Sequence, residues 1–321
     1  MQYRNVGQWG IQVSSISLGS WLTYGGSVGN DTATRCVERA YDLGINFFDT
    51  ANIYMKGAAE EVVGKALAPY ARDSYVLATK VFFPMTELPN GRGLSRKHIM
   101  EQCHASLTRL NAKYVDLYQC HRFDESTPLE ETCSAMNDLV RQGKTLYWGV
   151  SEWSGPRIRE AVRICRDAGW AVPISNQPQY SALWRVIEDD VIPTSVELGL
   201  GQVVWSPLAM GVLSGKYHDV ENPPSGSRAA GDDKWFMANF WRQETLDAVQ
   251  QLVPLAHDAG CTLAQLALAW CLQRDAISSV IAGASRPDHV DENVVAADLE
   301  IDPEIFASMD NVLAEVQARP S

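Results

Sequence analysis

The sequence is short of several things. No apolar run is long enough to cross a bilayer: stretches such as LAQLALAWCL (263–272) stop well below the ~20 residues required. The opening MQYRNVGQWG has no charged-then-apolar signal pattern, which predicts a cytoplasmic chain. Basic residues are outnumbered, 27 Lys and Arg against 39 Asp and Glu, and a net charge of −12 argues against a nucleic-acid binder, which needs a basic face. The seven cysteines (36, 103, 120, 133, 165, 261, 271) form no CxxC pair. An odd, dispersed set fits a reducing compartment and small core side chains better than a disulfide framework. Histidine and cysteine nowhere cluster at ligand spacing, so no metal site is expected. A GxGxxG fingerprint is missing too, and with it the usual mark of a dinucleotide-binding doubly wound sheet.

What is present is an ordinary globular composition, 46% hydrophobic and 21% charged, over 321 residues. That length admits two domains or one large α/β barrel. Short apolar β-rich runs recur near 14–19, 46–50, 76–81, 115–120, 145–150, 172–176, 202–206 and 278–283. Continuous runs of this kind suit strands buried on both faces, as in a parallel sheet. Helix punctuation lies between them. Thr127-Pro128-Leu129-Glu130 reads as an N-cap with a capping-box glutamate, Thr262 with Gln265 repeats the pattern, and Gly44 and Gly169 sit where helices should stop. Eight strand–helix alternations predict a (β/α)8 TIM barrel spanning 1–321 as one domain, although a doubly wound sheet writes the same alternation. Three segments fall outside the repeat: a hairpin at 2–12 turning at Gly7, placed as a plug over one barrel end, a Gly-, Pro- and Trp-rich connection at 209–242, and a final helix near 303–316. Connections as long as the second are usually lids or disordered, and its Trp235, Phe236, Phe240 and Trp241 favour a lid.

In a TIM barrel chemistry sits at the C-terminal ends of the strands. Those positions hold Asp49, then Tyr54 in the following loop, Lys80, and His121. Singly, each has an ordinary explanation: a helix cap, a solvated edge lysine, a satisfied core histidine. Together they make a chemical unit. A buried lysine beside a carboxylate stays charged, and a charged lysine beside a phenol lowers the phenol's pKa. A tyrosine so tuned can protonate a developing alkoxide.

The segments DTANIY, LATK and VDLYQCH resemble the aldo-keto reductases. The likeness extends along essentially the whole chain. It is strongest to the branch holding the voltage-gated potassium channel β subunits and their microbial relatives, through LGSWLTYGG (18–26), RGLSRKHI (92–99), YWGVSEWS (147–154), WSPLAMGVLSGKY (205–217) and GCTLAQLALAWCL (260–272). The resemblance implies NADPH-dependent reduction of an aldehyde or ketone, with Tyr54 as proton donor, Lys80 tuning it, Asp49 holding Lys80, and His121 orienting the carbonyl. It also implies a homotetramer.

For the cofactor, the resemblance implies that Ser151 and Gln177 bind the carboxamide, that Trp205 stacks on the nicotinamide, and that Glu292 and Asn293 hold the adenine. Ser20, Trp21, Asp49, the run Ser206, Pro207, Leu208, Ala209 and Met210, and Gly283 complete that contact set. The phosphate end has its own physical case. Ser285 precedes Pro287 at a helix start, where free amides and the dipole favour an anion, and Arg286, Lys216 and Arg228 are cations within reach. Three such cations in so acidic a chain favour NADPH over NADH. Two positions depart from the family pattern: Glu152 stands where asparagine or arginine is usual, and His289 where glutamine or arginine is. Trp21, Tyr54, Met55, Phe82, Phe83 and Trp153, with Trp235 above, are expected to line the substrate pocket, a wall suited to apolar or aromatic carbonyl compounds. Two other functions compete: an NADPH-binding regulatory subunit that docks to an ion channel, and a sugar or glyceraldehyde-phosphate reductase. Relatives of the first kind often carry asparagine at the position of His121; the second would call for an extra cation near Trp21 or Phe83, and the sequence suggests none.

Overall fold

The computed structural model describes residues 1–22, 24–26 and 28–318. Among the described residues there are ten strands: β1 (Tyr3–Asn5), β2 (Gln12–Ser14), β3 (Ile16–Gly19), β4 (Phe47–Asp49), β5 (Val76–Val81), β6 (Val115–Cys120), β7 (Thr145–Val150), β8 (Ser175–Asn176), β9 (Gly201–Trp205) and β10 (Ile277–Gly283). The last eight form a closed barrel of parallel neighbours in the order β10-β3-β4-β5-β6-β7-β8-β9. Closure rules out the doubly wound alternative and explains the apolar runs: every residue of β5 and β6 is buried, helices covering one face and the barrel interior the other.

The hairpin β1–β2 lies at the N-terminal end of the barrel. Gly7 at its turn adopts left-handed backbone (φ 59°), and its N–H donates to Ser278 Oγ at 3.3 Å while Gln8 N–H donates to the Gly199 carbonyl at 3.1 Å. A Cβ on Gly7 would collide with the Gly199 carbonyl and the Gly201 amide, so glycine is required by both conformation and space. Val6 and Val13 then join Phe47, Val76, Ala78, Leu117, Ile174, Val203 and Ile281 in the apolar filling of the barrel. One end is thereby sealed, and the chemistry is left to the other.

Eleven α-helices among the described residues surround the strands: α1 (Asn30–Asp42), α2 (Ala58–Leu67), α3 (Arg96–Arg109), α4 (Leu129–Arg141), α5 (Gly155–Ala168), α6 (Val191–Leu198), α7 (Gln243–Gln250), α8 (Leu252–Asp258), α9 (Leu263–Leu272), α10 (Pro287–Val294) and α11 (Pro303–Leu313). The Thr262–Gln265 capping box forms at α9, and Gly169 ends α5 in left-handed backbone (φ 67°). The cap expected at Thr127 does not form. Pro128 occupies the N-cap of α4, and the Thr127 hydroxyl donates to Asp124 Oδ2 at 2.8 Å, because Asp124 gathers Ser126, Thr127 and the Leu94 amide into a turn of its own. The 209–242 connection is folded, with short 3-10 turns at Ala209–Ser214, Arg228–Ala230 and Asp232–Met237. No single helix among the described residues is long and apolar enough to cross a membrane. Six cysteines are buried and Cys261 is partly so, all as free thiols.

Candidate active site

Three successive strand ends, with the loop after the first, supply the polar centre. Asp49 closes β4, Lys80 lies one residue from the end of β5, His121 follows β6, and Tyr54 returns over the rim on a 3-10 turn. Lys80 Nζ donates to Asp49 Oδ2 (2.5 Å), to the Thr50 carbonyl (2.8 Å) and to Tyr54 Oη (3.3 Å). On its other oxygen Asp49 accepts from Gln177 Nε2 at 2.9 Å, with Gln119 Nε2 at 3.5 Å. Lys80 is fully buried, and a buried ammonium persists only with such partners. Burial opposes its charge, but Asp49 and then Tyr54 outweigh it, and the pKa stands above the ordinary 10.5. The His121 ring meets Tyr54 edge-on at 5.7 Å and Phe83 at 5.0 Å. Burial, then Lys80 and Arg122, push its pKa well below 6.5, so the imidazole is neutral.

Tyr54 departs from expectation in its net direction. Lys80 does lower its pKa, as does Arg122, but burial is the larger influence and leaves the phenol above its ordinary 10.0. The phenol is therefore firmly protonated at neutral pH in the protein alone.

Beside this centre, Ser151 Oγ donates to the Gln177 carbonyl at 2.7 Å, which places the ends of β7 and β8 together. Glu152 has a definite role. In left-handed backbone (φ 57°), it accepts on Oε1 from the Gln179 amide (2.5 Å) and from Trp205 Nε1 (2.7 Å), and so fixes the indole at the end of β9. Trp205 in turn meets Trp21 edge-on at 5.7 Å. Apart from Asn111, the described non-glycine residues in left-handed backbone are Leu22, Met55, Lys56, Glu152, Ser206, Ala209 and Met210, all in loops that follow barrel strands. Strain of this kind gathers at functional rims, where surrounding contacts hold it.

A cationic group lies farther out. Arg228 is half-buried, and its guanidinium reaches only the Met210 carbonyl (3.4 Å) and Met210 Sδ (3.5 Å), with no carboxylate at ion-pair distance among the described residues. Arg286 stands at the N-cap of α10, and its one ion-pair partner among the described residues is Asp288, at 3.8 Å. His289 Nδ1 lies 3.4 Å from the Ser285 amide, which donates to it, and 3.3 Å from Ser285 Oγ; burial, then Arg286, with Lys216 acting the same way, lowers its pKa. The sequence matches the Aldo/keto reductase family over residues 15–314. The chain belongs to the aldo/keto reductase family. It is 43% identical over 321 residues to a putative voltage-gated potassium channel subunit beta of Schizosaccharomyces pombe, covering 97% of this chain and 93% of that one. Proteins described as probable voltage-gated potassium channel subunits beta from Oryza sativa subsp. japonica and Arabidopsis thaliana are each 41% identical over 326 residues, covering all of this chain and 98% and 99% of theirs.

Membership in the aldo/keto reductase family supports an oxidoreductase, and the family generally binds NADP(H). The residues present fit that group. Arg228 is a half-buried cation without an anionic partner among the described residues, and Ser285, Arg286 and His289 converge at the N-terminus of α10.

The aromatic residues expected to line a substrate pocket fall in several places. Tyr54 and Phe83 both meet the His121 ring, Phe82 lies edge-on to Phe83 at 5.3 Å, and Trp21 packs against Trp205. Trp153 is 1% exposed and packs edge-on against Phe123 at 4.8 Å. The lid aromatic that touches the rim is Phe236, 4.8 Å from Trp21, while Trp235 lies over Phe236 at 3.5 Å and is 67% exposed. Met55 is half-exposed beside Gly26. The sequence also missed Arg122, whose Cζ stands 5.5 Å from the Phe83 ring centre, so the extra cation near Phe83 does exist. The dipeptide His121-Arg122 was its only signal.

Proposed function

We propose that this aldo/keto reductase reduces aldehydes and ketones to alcohols with NADPH. The observation that carries the reading is the buried Asp49–Lys80–Tyr54 chain facing a neutral His121 at the open end of the barrel. NADPH, when bound, would supply the hydride for the carbonyl carbon. The side chains manage the proton. Tyr54 Oη gives its proton to the carbonyl oxygen, and the ammonium of Lys80, kept charged by Asp49, stabilises the phenolate left behind. Neutral His121 donates a hydrogen bond to the same oxygen and orients it.

Ser151 and Gln177 would hold the carboxamide, and Trp205, clamped by Glu152, would offer its face to the nicotinamide. Lys216, Arg228, Arg286, Ser285 and His289 would hold the phosphates, with Glu292 and Asn293 at the adenine. Ser20, whose hydroxyl donates to Thr50 Oγ1 at 2.9 Å, and the loop from Ser206 to Met210 would frame the cofactor between these ends. A second reading is favoured by the names of the relatives: a regulatory subunit that binds NADPH and docks to an ion channel. Mixing the protein with NADPH and a nitrobenzaldehyde series, and following loss of the nicotinamide absorbance, separates the two. Turnover is expected. Tight NADPH binding with no turnover of any carbonyl would sink the reductase reading and leave the regulatory one.

A further inference from the structure

The cation beside the substrate wall has chemistry to spare. Arg122 follows His121 at the end of β6 and is half-buried. Its Nη1 donates to the His121 carbonyl at 2.6 Å and lies 3.5 Å from Ser151 Oγ, while its Cζ stands over Phe83 at 5.5 Å. Nothing among the described residues accepts from Nε or Nη2, and no carboxylate comes within ion-pair distance of the guanidinium. The neighbouring acids are engaged elsewhere: Asp124 accepts from the Leu94 amide, Ser126 and Thr127, Glu125 pairs with Arg157, and Asp49 pairs with Lys80. The Nε–Nη2 edge is the one that grips a carboxylate or phosphate with two parallel hydrogen bonds. Phe83 links it to the chemistry, since the same ring that lies under Arg122 meets the His121 imidazole edge-on at 5.0 Å. The field of Arg122 reaches both His121 and Tyr54, lowering the pKa of each.

We propose that Arg122 is a specificity-determining residue of this site and that the preferred carbonyl substrates carry an anionic group, carboxylate or phosphate, which its free edge binds. A half-buried guanidinium without a counterion is costly in the free protein, and an anionic substrate removes that cost while a neutral one of the same shape does not. The inference rests on the reductase reading for its catalytic consequence, but the anion site itself is readable without turnover.

The decisive comparison is 4-carboxybenzaldehyde against 4-nitrobenzaldehyde, close in shape and different in charge. In the wild-type protein kcat/KM should favour the carboxylate, and in Arg122→Gln the ratio of the two values should fall by about 10- to 100-fold, as expected for a charge-assisted hydrogen-bonded pair. Most of the change should lie in KM for the anionic aldehyde, and Arg122→Lys should restore part of the ratio. Glyceraldehyde 3-phosphate against glyceraldehyde, measured in the same way, tells a phosphate-reading edge from a carboxylate-reading one. In parallel, benzoate is titrated against the protein with NADP+ present, read by tryptophan fluorescence. Weaker benzoate binding in Arg122→Gln supports the anion site even if no aldehyde is reduced, in which case only the reductase reading fails. An unchanged ratio, or equal benzoate affinity in both proteins, overturns the proposal.

Discussion

At the scale of single residues, the chemistry turns on how burial and charge divide between Tyr54, Lys80 and His121. Burial raises Tyr54 above 10.0 and holds His121 well below 6.5, so both stay in their neutral forms across the physiological range. Reduction needs the phenol protonated and the imidazole neutral. The kcat/KM for aldehyde reduction is therefore expected to stay level from pH 6.5 to 10.0, and to decline only as the phenol ionises above that. A steady-state series over this range checks it; a fall centred near neutrality would contradict the assignment. Removing the proton donor is the sharper test. Tyr54→Phe should lower the reduction rate by about 100- to 10,000-fold while NADPH still quenches tryptophan fluorescence at nearly the wild-type concentration. Aldehyde turnover at the wild-type rate would mean that the proton comes from elsewhere. Glu152 shows what a sequence conceals at this scale. A carboxylate at a usually amide or cationic position gave no hint that its partners were Gln179 and Trp205, because one follows β8 and the other ends β9, 27 and 53 residues along the chain.

At the scale of elements, the strands were legible because a buried parallel strand writes its own apolar run, and all eight barrel strands lie within a few residues of where those runs are. The Thr262 cap was legible too, since both partners sit within one turn. Thr127 was misread because a hydroxyl chooses among all nearby acceptors, and Asp124 outcompeted the helix amides. The hairpin plug depends on a close approach that glycine alone permits. Gly7→Ala should destabilise the protein by about 2–4 kcal/mol, combining left-handed strain with a backbone collision. Urea denaturation would measure it, and a change below about 0.5 kcal/mol would show that the hairpin shifts freely.

At the scale of the whole molecule, closing the barrel puts Asp49, Lys80 and His121 on adjacent strands at one end and leaves the plug at the other. The same closure brings Lys216, after β9, within electrostatic reach of His289, after β10, which Arg286 also reaches, while Arg228 stands at Met210 in the loop after β9. If these groups read the 2′-phosphate, Arg228→Ala and Arg286→Ala should each weaken NADPH by about 10- to 100-fold and NADH by much less, in fluorescence titrations of the two cofactors. Equal losses for both cofactors would assign the arginines to the shared pyrophosphate.

The sequence by itself determined the alternation of strands and helices, the positions of Asp49, Tyr54, Lys80 and His121 at strand ends, and the family to which they belong. These are local matters, written in runs and spacings a few residues long. Only the tertiary structure decided that burial outweighs Lys80 at Tyr54, that Trp153 packs against Phe123, that Glu152 clamps Trp205, and that Arg122 stands over Phe83 with no carboxylate partner among the described residues. Each of these depends on distance between residues far apart in the chain, and on the water excluded between them, neither of which a linear pattern carries.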